Sequence, residues 1–140
     1  VILVPLDASK TAEMALLPAA EMARALGDDL LLMVVVDPVV SDQLRSFAEA
    51  EHIDLLNAAR TYADRVARSL PAVQVATMAI PGDNPAIAIL EEVERRHPRM
   101  VAMATHGRTG FDRWWLGSVT VKVVQACTVP VLVVPARNTE

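Results

Sequence analysis

Seven apolar residues in a row, Leu30–Val36, are closed by Asp37-Pro38. A run this short is too brief for a typical helix and rich in Val, so it reads as a strand covered on both faces. Other strand-like stretches lie at Val1–Val4, Val73–Ile80, Met100–Ala104 and Val131–Val134. Between them lie stretches with helical apolar spacing. Ser9 reads as an N-cap, and Ala12, Leu16, Ala19, Ala23 and Leu26 follow until Gly27 ends the helix, with a kink expected at Pro18. A second helix is expected from Ser41 or Asp42 to about Leu70, ended by Pro71. A third starts at Pro85, with Ile87, Leu90 and Val93 inward and Glu91, Glu92, Glu94, Arg95 and Arg96 in water. A fourth runs from about Ser118 to Ala126.

The order is therefore βαβαβαβαβ. Helical crossovers make neighbouring strands parallel and the connections right-handed. The expected fold is α/β: an open, doubly wound, five-stranded parallel sheet in the order 3-2-1-4-5, with helices on both faces. The 140 residues fit one domain, 1–140. Composition agrees, since 53% of the chain is hydrophobic but only 4% aromatic, and Val, Ala, Leu and Ile carry the apolar mass.

Composition also disfavours several functions. A net charge of −4 without a Lys/Arg block argues against a nucleic-acid surface. Cys127 is the sole cysteine, so an intrachain disulfide or a multi-thiolate zinc site is excluded. The three histidines, His52, His97 and His106, lack ligand spacing, so no metal is expected. No apolar run approaches the roughly 20 residues of a membrane span, and none resembles a secretory leader; a cytoplasmic location is the expectation.

In open parallel sheets, ligands sit beyond the carboxyl ends of the strands where the strand order reverses. The strongest signal on that edge is Thr105–Ser118. Gly107 and Gly110 allow close approach of an anion, Gly117-Ser118 opens a helix with free N–H groups, Ser118 and Thr120 add hydroxyls, and Arg108 and Lys122 offer charge. A glycine-rich turn followed by an ordinary cap has the same appearance. The spacing is not that of a Walker P-loop. Asp7, alone on its loop, fits a ligand contact or a helix cap equally well. Trp114 and Trp115 fit packing over this loop or a partner surface.

These residues resemble the universal stress protein family nearly end to end. The likeness covers Val4-Pro5-Leu6-Asp7-Ala8-Ser9, Leu30–Pro38, Gly82-Asp83-Asn84-Pro85, Met103–Thr120 and Val129–Val134. The family's nucleotide motif is Gly-x2-Gly-x9-Gly-[Ser/Thr]; Gly107, nine residues, Gly117 and Ser118 match its last three elements. Ala104 stands in place of the first glycine, and Ala8 in place of a glycine often found after the first Asp. If position 104 needs a positive φ, alanine is strained there by about 1 kcal/mol or more.

The resemblance implies a Rossmann-like, adenine nucleotide alpha hydrolase-like sheet that binds ATP or another adenine nucleotide, with or without Mg²⁺. By position, Pro5, Leu6 and Asp7 would contact the adenosine, Val35 would pair its backbone with the adenine edge, and Met103 and Ala104 would line the nucleoside. Gly107, Gly117, Ser118, Val119 and Thr120 would hold the phosphates, with Arg108 beside them. The last strand, Val131–Val134, falls at a sheet edge, which favours a homodimer through it; the resemblance points the same way. The implied role is a nucleotide-gated stress-response dimer, at most a slow ATPase. The alternatives are a nucleotide-free interaction module, which Ala104 favours, and a transferase, which the lack of a catalytic constellation disfavours.

Overall fold

The computed structural model describes residues 1–37, 42–107, 114–115 and 117–136, with backbone alone for 106, 107, 114 and 115. Its strands are β1 (Ile2–Leu6), β2 (Leu30–Val36), β3 (Val75–Pro81), β4 (Met100–Gly107), β5 (Trp114–Trp115) and β6 (Val131–Pro135). The helices are α1 (Lys10–Glu13), α2 (Leu16–Leu26), α3 (Asp42–Glu51), α4 (Leu55–Arg68), α5 (Pro85–Arg96) and α6 (Ser118–Ala126). Five strands form a parallel sheet in the order β3-β2-β1-β4-β6. This is the expected 3-2-1-4-5 order, with β6 as the fifth parallel strand. The two-residue β5 adds an antiparallel pairing, His106 with Trp115 and Gly107 with Trp114, inside what reads in sequence as loop.

Strand alternation divides the core in two. Ile2, Val4, Leu30, Leu32 and Val34 pack with the small residues Ala19, Ala23, Ala58, Ala59 and Ala63 of α2 and α4. Leu3, Leu31, Met33, Val101 and Met103 pack on the other face with Ala86, Ile89 and Val93 of α5 and Val123 of α6. Strands that bury both faces need apolar residues at every position, which is why Leu30–Val36 shows no polar alternation.

Two expected helices are each split. The first breaks at Met14–Ala15 rather than kinking at Pro18. Pro18 has no N–H to give Met14, so the helix restarts at Leu16 and places Pro18 in the first turn, where a donor would lack an acceptor. The second breaks at residues 52–54. His52 turns left-handed at φ 55°. The Ile53 N–H closes the turn on Ala48 O, and Asp54 caps α4 by accepting from Asn57 N at 2.8 Å.

The inward face of α5 also differs from expectation. Asn84 caps it through Ile87 N, and this phase buries Ala86, Ile89, Val93 and Glu92, while Ile87 is 53% exposed. Glu92, only 2% exposed, accepts from Arg95 Nη1 and from Arg96 Nε at 2.7 Å. The two arginines reach in from the surface and neutralise it, which lets a carboxylate occupy an inward position.

Candidate functional site

The sheet reverses its strand order between β1 and β4, since β2 continues on one side of β1 and β6 on the far side of β4. The loops leaving β1 and β4 part there, and a cavity of about 460 Å³ opens beyond the carboxyl ends of the strands. Its floor is apolar: Met33 and Val34 from β2, Met103 from β4, Leu44 from α3 and Ile89 from α5. The rim is polar and comes from Asp7, Ser9, Thr11, Asp37, Ser118 and Thr120. An apolar slot with a few polar groups at one edge is the usual form of a small-molecule site.

Three segments build that rim. After β1, Asp7 Oδ1 accepts the Ser9 N–H at 2.9 Å, and Ser9 Oγ accepts the Ala12 N–H at 3.1 Å. Asp7 therefore closes a local turn rather than capping α1, and the cap belongs to Ser9 as read from sequence. Between them Ala8, nearly buried, adopts φ 69°. The second segment is the end of β2, where Val35 and Asp37 meet the cavity. Gly82 makes room behind Val35: a Cβ at 82 would lie 3.2 Å from Val35 Cγ1. The third is the start of α6. Gly117 caps it with extended backbone and no side-chain bond, so the leading N–H groups of the helix have no capping acceptor. The helices α1, α4 and α5 instead open on capping side chains, Ser9, Asp54 and Asn84. Thr120 Oγ1 donates to Ala104 O at 3.4 Å and ties this helix start to the end of β4.

Of the twelve residues proposed from sequence, Pro5, Leu6, Asp7, Val35, Met103, Ala104, Gly117, Ser118, Val119 and Thr120 surround this one cavity. Gly107 ends β4, paired through its backbone with Trp114. Arg108 lies outside the described residues. Ala104 sits in the extended strand β4 and is not among the positive-φ residues, so the conformational strain considered there does not arise. It arises at Ala8 instead.

Sequence reasoning passed over Ser9, Thr11 and Asp37 as site residues. Ser9 and Asp37 fall on the loops after strands one and two that can supply the ligand edge, but singly they read as a helix cap and a strand end. The floor residues Met33, Leu44 and Ile89 carry no signal that separates them from the core. Thr105, next to Ala104, is 1% exposed and its hydroxyl has no hydrogen-bond partner among the described residues. Among the described residues, no three His, Cys, Asp or Glu side chains are grouped to hold a metal ion, and no helix is long and apolar enough to cross a membrane.

Comparison with known proteins places this architecture. The model of the universal stress protein family matches residues 1–135. The chain belongs to the universal stress protein family. Two curated universal stress proteins are similar over part of it: one of Mycolicibacterium smegmatis, 43% identical over 53 residues, and MJ0531 of Methanocaldococcus jannaschii, 39% identical over 56. Those matches cover 38% and 40% of this chain but 17% and 33% of the relatives, well under half their length. Among solved structures, that of hypothetical protein MJ0577 superposes with a TM-score of 0.75 at 28% identity, over 99% of this chain and 96% of its own. The UspA structure of Lactobacillus plantarum superposes with a TM-score of 0.68 at 25% identity, over 95% of each chain. Two more distant members share the fold at 19% and 18% identity. One was solved in complex with cAMP, and the other, from Arabidopsis thaliana, with AMP bound.

Proposed function

We propose that this universal stress protein domain binds an adenine nucleotide in the cleft at the β1/β4 switch point. The observation that carries the reading is the start of α6. Its uncapped N–H groups and positive dipole end border an apolar slot wide enough for a base. In this reading the adenosine lies on the floor between Val35 and Met103, and Asp7 accepts from the sugar or base. Gly117, Ser118, Val119 and Thr120 meet the phosphates, with Gly107 and Arg108 completing that end. The cAMP and AMP complexes of the two distant members support an adenine nucleotide as the ligand class. ATP, alone or with Mg²⁺, is the form the sequence motif favours.

The domain works as a nucleotide-gated regulator in the cytoplasm: occupied and empty clefts differ at Thr105–Ser118, and a protein partner reads the difference. Its unit is a homodimer. Supporting this, among the described residues β6 pairs only with β4, which leaves the apolar strand Val131–Val134 with one edge that a twofold mate would cover.

The second reading is a nucleotide-free interaction module on the same fold. Ala104 favours it, because a methyl group stands in the cleft wall where the motif has glycine. Calorimetry with ATP, AMP and cAMP, with and without Mg²⁺, separates the two. Binding that Gly117→Val abolishes and Ala104→Gly strengthens supports the nucleotide reading. No heat and no thermal shift at millimolar nucleotide would leave the module reading in possession.

A further inference from the structure

We propose that Tyr62, which lines no part of the cleft, positions the α1 rim of that cleft through Glu13. The consequence for ligand affinity rests on the nucleotide reading above; the positioning itself does not. The rim contributed by α1 is Ser9, Thr11 and Ala12. This helix has four residues, none of them buried, and a helix that short does not hold itself in water. The chain enters it through Ala8 in the left-handed region and leaves it through the turn at Met14–Ala15. The Ala8 end is a break, while at the other end the Ala15 N–H donates to Ala12 O and the chain passes into α2 through a tightened helical turn.

Tyr62 supplies an anchor from elsewhere in the fold. Its hydroxyl donates to Glu13 Oε2 at 2.9 Å, across 49 positions of sequence. It stands on α4, a helix of 14 residues fixed to the core by Ala58, Ala59, Ala63 and Val66, and its ring packs against that same cluster. Burial pushes the phenol well above its ordinary value, and the charge of Glu13 and the hydrogen bond to it push the same way. The hydroxyl is thus a permanent donor at any working pH. The charge of Asp7 pushes the phenol the same way, by less. A hydrogen bond to a carboxylate is among the stronger kinds, and this one adds a long-range tie to the local hold given by the Ser9 cap and the packing of Ala12.

Hydrogen exchange and AMP calorimetry on the whole chain test this, with Tyr62→Phe keeping the ring and Glu13→Gln keeping an acceptor. In the nucleotide-free protein, Tyr62→Phe should speed amide exchange at Thr11–Met14 by about tenfold and leave β2 amides unchanged, while Glu13→Gln stays within about threefold of the parent. AMP affinity should fall by about tenfold in Tyr62→Phe only. Unchanged exchange at α1, or equal acceleration at α1 and β2, overturns the proposal, since the second pattern is what a merely structural tyrosine produces. If the parent binds none of ATP, AMP and cAMP, the nucleotide reading fails by itself, and the exchange data still decide whether Tyr62 holds the rim.

Discussion

Two alanines, Ala8 and Ala104, stand where the family resemblance leads one to expect glycine, and the structure gives them opposite physics. Ala8 has φ 69°, whereas Ala104 lies in the extended strand β4. Replacing each with glycine is the same chemical change in two backbone settings. At Ala104 nothing is relieved: glycine widens the freedom of the unfolded chain and removes a methyl from a strand, so Ala104→Gly should lower stability by about 1 kcal/mol. At Ala8 the left-handed backbone costs an L-residue about 1–2 kcal/mol, which glycine removes. Against that relief stand about 0.4–1 kcal/mol of unfolded-state entropy and about 0.8 kcal/mol for a buried methyl. Ala8 is 9% exposed, so nearly all of the methyl term applies. Ala8→Gly should therefore leave stability within about 1 kcal/mol of the parent, and the gap between the two variants should approach the left-handed cost of about 1–2 kcal/mol. Urea unfolding of the nucleotide-free proteins measures both midpoints at a shared slope. Equal destabilisation by the two substitutions would refute the reasoning, because it would mean that φ at position 8 carries no energy.

Three other outcomes follow from side-chain environments. Thr105→Val should raise unfolding stability by about 1 kcal/mol, since it removes a buried hydroxyl that has no partner among the described residues while keeping the shape; a loss in urea midpoint contradicts this. Glu92→Met should change stability by less than about 1.5 kcal/mol, because an apolar side chain suits its site. The double change Arg95→Ala with Arg96→Ala should cost more, since it strands a carboxylate that is 2% exposed; the reverse ranking on thermal unfolding would count against the buried pair. Tyr62 is the sole tyrosine, so the tyrosinate absorbance band reports on it alone. Its folded value is raised above the ordinary value of 10.0, so the unfolded chain ionises first. Stability is then full below about pH 10 and falls as the pH climbs further. The band should appear only with unfolding, and Tyr62→Phe should lack this alkaline loss; a tyrosinate signal in folded protein would refute it.

Most of the fold was legible because parallel strands buried on both faces are written as unbroken apolar runs. Leu30–Val36 reproduces β2 to the residue. The helices were less legible where a break depends on local backbone geometry. His52 looks like an ordinary helical surface residue, and only its left-handed turn, with Asp54 as the next cap, shows that the chain stops there. Glu92 was misplaced because charge was read as exposure, whereas two arginines one turn on supply its counter-charge. At the cleft, the start of α6 was visible through the Gly117-Ser118 spacing. Its floor was not, because Met33 and Ile89 are chemically indistinguishable from core residues, and only the divergence of the chain after β1 and β4 exposes them to a cavity. Ala8 shows the same limit, since its residue type says nothing of φ.

The break at Met14–Ala15 separates two jobs that one continuous helix would have fused. On its far side α2 carries Leu16, Ala19, Ala20 and Ala23 into the core. On its near side α1 contributes nothing buried and faces the cleft. Lys10 and Thr11, outside the Ser9 cap, the Ala12 packing and the Glu13–Tyr62 bond, are consequently a replaceable panel. Selection, or a designer, can rewrite that panel to accept a different ligand while the packing that makes the domain fold is left untouched.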